Sequence, residues 1–342
     1  MTTTFVVVPQ WQGSGSSRAL RLLDGAEYIR GDLPAQHTVL VDVPLGAGDA
    51  QGSGVHRLTA LQLVRNQTLG VLAEIEGNAI TIGGDCGVEL AAISHARRSH
   101  GALAVLWLDA HADLNTPETS PSGAFHGMVL RTLLGDGLAA LRPEIPISPD
   151  RIVLAGTRAL DDAEVAYIDS AGIRMLSPAA LSTDLRPGID LRPGTDTPPG
   201  TDLLPGTDLL PGTDTPPGTD LLPGTDTPPS TDLLPGTDTP PSTDLLLSTD
   251  LLLSTLAATG ADSVYLHIDL DVLDPGEFMS LGHPEPFGLT AGALIELIRA
   301  VKGRFPLAGA AITEFAPASP EQAVDDLPTI LRIIGALTGQ PR

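Results

Sequence analysis

Ala102-Leu-Ala-Val-Leu-Trp-Leu108 runs directly into Asp109-Ala-His111-Ala-Asp113, and Ser263-Val-Tyr-Leu-His267-Ile268 runs into Asp269-Leu-Asp271. Both stretches are short and mainly apolar, with no polar face, and both end in ionisable residues. A strand apolar on both sides belongs inside a sheet covered by helices, which is the signature of a parallel sheet. Further runs of this kind occupy residues 5–8, 38–43, 79–82, 151–155, 173–176 and 307–312. Helical patterns fall between them, for example at 87–98, 161–170, 291–301 and 321–337. The alternation predicts a single-domain, three-layer α/β fold with a mainly parallel, doubly wound sheet. In such sheets ligands bind beyond the carboxyl ends of the strands, which is where the polar clusters of this sequence lie.

One segment does not fit the alternation. From 184 to 254 the chain repeats six-residue units such as TDLLPG and TDTPPG, with Asp recurring from Asp184 to Asp250 without a break in step. Dense Pro and Gly argue against a continuous helix or a central strand there. A period of six equals two turns of polyproline II, and it also suits period-2 strands or a small solenoid. A disordered, linker-like insertion is the expectation. The expected division is therefore a catalytic domain of residues 1–183 plus 255–342, interrupted by the insertion at 184–254.

The chain has 342 residues and a net charge of -23, of which the insertion, with twelve Asp and two Arg, supplies -10. So acidic a chain lacks the basic face that nucleic acid or an anionic membrane demands. One cysteine permits no internal disulfide and fits a reducing compartment. The start, Met1-Thr-Thr-Thr-Phe-Val-Val-Val-Pro9, has no basic n-region and reads as a first strand. No apolar run approaches the ~20 residues of a membrane span. A cytoplasmic location is the default expectation.

Four strand ends carry the candidate chemistry. They are Gly83-Gly-Asp85-Cys86-Gly87, Asp109-Ala-His111-Ala-Asp113, His267-Ile-Asp269-Leu-Asp271 and Thr313-Glu314-Phe. If the strands continue through them, Asp109, His111 and Asp113 share one face, as do His267, Asp269 and Asp271. Four carboxylates and two imidazoles gathered in a fold interior require positive charge among them. Carboxylate and imidazole ligands suit Mn²⁺, Fe²⁺, Co²⁺ or Zn²⁺. Shared carboxylates suit two ions a few ångströms apart, able to activate one bridging hydroxide.

These motifs, with a downstream His126-Gly and the run DLDVLDP, resemble the arginase/agmatinase (ureohydrolase) superfamily in order and spacing. The resemblance implies a two-manganese hydrolase of guanidino compounds, releasing urea, and a homo-oligomer, trimeric or hexameric. It implies that Asp109 and Asp269 bridge the metals. Asp113 and Cys86 would complete one site, and His111 and Asp271 the other. Glu314 would hold the guanidinium and His126 would transfer a proton. Asp85 and His267 are candidate supports of these ligands, and His267 is also a candidate added ligand. Along Asp113-Leu-Asn115 to His126, the resemblance to the arginase branch implies that Asn115, Ser120 and Ser122 hold an α-carboxylate and Asp161 an α-amino group. Arginine is the leading substrate, with N-hydroxy-arginine second and agmatine or formiminoglutamate as rivals. Cys86 stands where the family usually has His, and a thiolate favours Zn²⁺, Fe²⁺ or Co²⁺ over Mn²⁺. A catalytically impaired regulatory or scaffold relative is the reading from outside the enzymes.

Overall fold

The computed structural model describes residues 3–181 and 243–339, and most of the repeat, residues 184–242, lies outside them. The strands are β1 (Thr3–Val8), β2 (Thr38–Leu40), β3 (Asn78–Gly83), β4 (Leu103–Leu108), β5 (Ile152–Ala155), β6 (Arg174–Leu176), β7 (Ser263–Asp269) and β8 (Leu307–Thr313). They form one sheet in the order β2-β1-β3-β8-β7-β4-β5-β6, with every pairing parallel. The connecting helices are α1 (Arg21–Gly31), α2 (Leu58–Ala73), α3 (Glu89–Ser99), α4 (Val129–Leu133), α5 (Asp162–Ala171), α6 (Pro178–Leu181), α7 (Thr243–Ala257), α8 (Ala291–Arg304) and α9 (Pro320–Thr338). Among the described residues, no helix is long and apolar enough to cross a membrane.

The reason for a parallel sheet is visible along β4. Ala104, Leu106 and Leu108 enter the core on one face, while Leu103, Val105 and Trp107 enter the core on the other. All six are buried, so neither face is left to water. Helix ends are set by local chemistry. Asp161 and Glu164 form a reciprocal capping box at α5, Thr290 caps α8, and Ser319 followed by Pro320 starts α9.

The structure shortens one expected strand and recasts another segment. Strand β2 stops at Leu40, where a run to 43 is expected from composition. It is an edge strand paired only with β1, and its last ladder bond runs from the Val41 amide to the Val7 carbonyl. The second revision concerns the end of the repeat. Residues 243–254, assigned above to the insertion, lie in α7. Their two repeat copies, Asp244 to Thr255, contain neither Pro nor Gly, so nothing breaks the helix. Leu252 and Leu256, four residues apart, are fully buried in the main core, and α7 packs against α6 and α8. The last repeat copies are thus part of the folded body.

Candidate metal and substrate site

The four motif-bearing strands, β3, β8, β7 and β4, are consecutive neighbours in the sheet. Their carboxyl ends therefore converge on one place. From β3 the chain passes through Gly84, where a Cβ would lie 1.7 Å from the Gln10 carbonyl oxygen. That close approach lets Asp85 Oδ1 accept from Gln10 Nε2 and the Gly87 amide, and Oδ2 accept from the Gly13 amide, all at 2.8 Å. Burial still pushes the Asp85 carboxyl up to about 6, against these bonds and Arg57. Asp85 is thus a positioning residue that presents Cys86, the first residue of a 3-10 turn leading into α3.

Neither ionisable triad continues its strand. Strand β4 ends at Leu108, and Asp113 has φ 54°. His267 and Asp269 lie on β7, but Asp271 lies in a 3-10 turn whose cap is the Asp269 carboxylate. The residues converge by loop geometry, with Asp109, Asp269 and Asp271 each tied to a backbone amide. Asp109 Oδ1 accepts the His111 amide at 2.6 Å, and Asp109 Oδ2 accepts Trp107 Nε1 at 3.0 Å. Asp269 Oδ1 accepts the Asp271 amide at 2.9 Å, and Asp271 Oδ1 accepts the Ala110 amide at 3.1 Å. Such bonds fix the carboxylates before any ligand arrives.

Two groups of ligand atoms result. Cys86, Asp109, His267 and Asp269 form one, and Asp109, His111 and Asp271 the other, each with atoms within 4.8 Å of one another. Asp109 is common to both. His267, expected beside the ligands, sits among them. Asp113, expected beside Cys86, belongs to neither group, although its Oδ2 is buried without a hydrogen-bond partner. The Cys86 thiol lies 3.0 Å from Asp269 Oδ2, and His111 Nδ1 lies 3.0 Å from Asp271 Oδ2.

Electrostatics favour a cation here. Burial, reinforced by neighbouring carboxylates, pushes Asp113, Asp269 and Glu314 well above the usual carboxylate range. Burial and four carboxylates push the Cys86 thiol up as well. Asp109 alone is held low, because His111 and His267 close beside it outweigh its burial. The donor set and the unpartnered Asp113 Oδ2 and His267 Nε2 fit a pair of divalent cations.

Beside the ligand groups, Glu314 has φ 64° and its amide donates to the Gly84 carbonyl at 2.8 Å. Its buried Oε1 has no hydrogen-bond partner and lies 4.0 Å from His126 Nδ1. Burial, then the charges of His283 and His111, lower His126 to about 3. Its ring stacks on His283 at 4.9 Å. The sequence reading missed His283. A lone His in a Gly-Pro loop has no spacing that marks it. It missed Glu89 as well, a single acid in an apolar helix start.

The expected substrate-side residues form a second set. Asn115 Nδ2 donates to Asp161 Oδ2 at 2.8 Å, and Asn115 Oδ1 accepts from Thr119 Oγ1 at 2.7 Å. Ser120 Oγ accepts the Gly123 amide and Ser122 Oγ the Ala124 amide, at 3.0 and 3.2 Å. Both hydroxyls keep a proton to donate.

A sequence profile described as Arginase family matches residues 21–185 and 248–327. Over 109 residues the chain is 42% identical to the arginase of Staphylococcus aureus (strain MRSA252), covering 30% of this chain and 36% of that protein. Over 147 residues it is 33% identical to the arginase of Bacillus caldovelox, covering 40% and 49%. The matched stretches thus span a third to a half of these relatives. In three dimensions it resembles the crystal structure of Entamoeba histolytica arginase in complex with L-ornithine, with TM-score 0.70, 19% identity and coverage of 99% and 98%. At that identity the likeness shows the fold.

Proposed function

The chain belongs to the arginase family, and from that membership and the site geometry we propose that it hydrolyses the guanidino group of arginine or a close analogue. The products are urea, or hydroxyurea, and an ornithine-type amino acid. The observation that carries the reading is the pair of ligand groups sharing Asp109, with the free Glu314 Oε1 and His126 beside them.

Cys86, Asp109, His111, Asp113, Asp269 and Asp271 would hold two divalent cations, Mn²⁺ in the first instance, with Fe²⁺, Co²⁺ or Zn²⁺ as alternatives at the Cys86 position. Bound there, the cations supply Lewis acidity and an activated water. Glu314 presents an unpartnered carboxylate oxygen, suited to a guanidinium's fork of donors. Its burial excludes water that would compete. His126 stands 4.0 Å from that carboxylate, where its ring can carry a proton to the leaving amine. Asn115, Ser120 and Ser122 offer donors to an α-carboxylate, and Asp161, already bonded to Asn115, offers an acceptor to an α-amino group.

Release of urea from arginine and agmatine, and of hydroxyurea from N-hydroxy-arginine, measured on metal-loaded protein, tests the proposal. Arginine or its N-hydroxy analogue should be preferred, and Asn115→Ala should erode the preference over agmatine, mostly through KM. Preference for agmatine in the parent chain would make it an agmatinase. Absence of urea and hydroxyurea from every substrate would favour a regulatory relative. Burial, with four carboxylates around it, pushes the Cys86 thiol up, which gives that second reading its support.

A further inference from the structure

We propose that His267 is a ligand of the Cys86 position, and that the two positions take different metals: a thiophilic cation such as Zn²⁺ at Cys86/Asp109/His267/Asp269, and Mn²⁺ at Asp109/His111/Asp271. The proposal rests on the two-cation reading of the site.

The case begins with how His267 is held. It is fully buried on β7, opposite Trp107 of β4, and the two rings stack at 3.6 Å and 22°. Stacking fixes the plane of the imidazole. Its direction in that plane is fixed by Glu89, whose Oε1 lies 2.8 Å from His267 Nδ1. Glu89 is itself fully buried at the start of α3, and its Oε2 accepts the Tyr265 hydroxyl at 2.7 Å. A carboxylate at Nδ1 places the proton there and leaves Nε2 with its lone pair.

That lone pair points into the ligand group. Nε2 is buried and has no hydrogen-bond partner. Asp109 Oδ2 is 3.5 Å away, longer than a charge-assisted hydrogen bond. Asp109 Oδ2 accepts Trp107 Nε1 on one side and faces Nε2 on the other, so its remaining lone pair and the unpartnered lone pair of Nε2 meet in a buried gap that a cation would satisfy. The Tyr265–Glu89–His267 chain is the carboxylate–histidine arrangement that orients imidazole ligands and raises their basicity.

The two groups then differ in kind. One offers a thiol sulphur, an imidazole and two carboxylates, and the other an imidazole and two carboxylates. Soft sulphur favours Zn²⁺ or Co²⁺, and the oxygen-rich set suits Mn²⁺.

The test is metal counting on the full chain. Chelator-stripped protein is loaded with equimolar Zn²⁺ and Mn²⁺, desalted and analysed for both metals. One Zn²⁺ and one Mn²⁺ per chain are expected. Co²⁺ loading of the parent chain should give a thiolate-to-cobalt charge-transfer band, which Cys86→Ser removes. His267→Ala should lose the Zn²⁺ and shift the cobalt ligand-field bands while the Mn²⁺ stays. Glu89→Gln, which leaves the ligands in place, should weaken Zn²⁺ by about 10–100-fold. Two Mn²⁺ and no Zn²⁺ would overturn the proposal and leave the two-cation reading standing. No metal at either position would overturn both. An unchanged cobalt spectrum in a folded His267→Ala protein would show that His267 serves only as a buried counter-charge. The parent cobalt spectrum decides the sulphur ligand even if the His267 variant fails to fold.

Discussion

Two deletions in the repeat should have opposite consequences. Excising residues 184–254 follows the sequence boundary, and excising 186–240 follows the compact body of residues 1–185 and 241–342. The first removes most of α7, including fully buried Leu252 and part-buried Leu253, which pack on the main core. Truncating a buried Leu costs about 2–5 kcal/mol, and losing half of a second one's burial about 1 kcal/mol more. The loss, about 3–6 kcal/mol, compares with a whole domain stability of about 5–15 kcal/mol. The second deletion removes no described core residue. A shorter connection lowers loop-closure cost by at most about 2 kcal/mol for a tenfold shortening. Urea unfolding followed by far-ultraviolet circular dichroism should give the 186–240 deletion the midpoint of the parent or slightly above. The 184–254 deletion should unfold far earlier or fail to fold, and Leu252→Ala in the full chain should fall between. Equal midpoints for the two deletions would refute the assignment of α7 to the core.

Other substitutions probe the site. Asp109→Ala removes the carboxylate common to both ligand groups, so metal counting should fall from two ions to one or none and urea release to background. Cys86→His replaces a soft ligand with imidazole and should raise Mn²⁺ occupancy at limiting metal. Assaying arginine and N-hydroxy-arginine in parallel shows whether activity follows the metal or the substrate. Asp161→Ala breaks the capping box of α5 and frees Asn115, costing about 1 kcal/mol of stability and raising KM for arginine. A variant with lowered stability but the parent KM would confine Asp161 to its helix.

Much of this molecule is legible in its sequence, because a parallel sheet covered on both faces needs apolar strands. The interior strands β3, β4, β7 and β8 start and end within a residue of where their apolar runs do. Strand β2 is misjudged because pairing at an edge, and not composition, decides where it stops. The i, i+2, i+4 spacing in Asp109-Ala-His111-Ala-Asp113 suggests one strand face, but amide bonds to the carboxylates and a left-handed Asp113 turn it into a loop. Most of the candidate ligands do converge, but through loop geometry and not along one strand face. The Glu89–His267 bond joins residues 178 apart in sequence, and no periodicity announces it. The helical end of the repeat is obscured by averaging Pro and Gly over copies when the last two have none.

The junction at Thr243 also constrains how the gene can change. Six-residue copies in tandem are prone to gain and loss when DNA strands slip during replication. A TDLLPG or TDTPPG copy inserted within α7 would break the helix at its Pro and Gly, whereas one inserted before Thr243 leaves Leu252 and Leu256 in register. Copies that carry Pro and Gly are accordingly tolerated on one side of residue 243 and excluded from the other. Natural variants of this chain should differ in length in steps of six residues, with every added copy that carries Pro and Gly falling before α7.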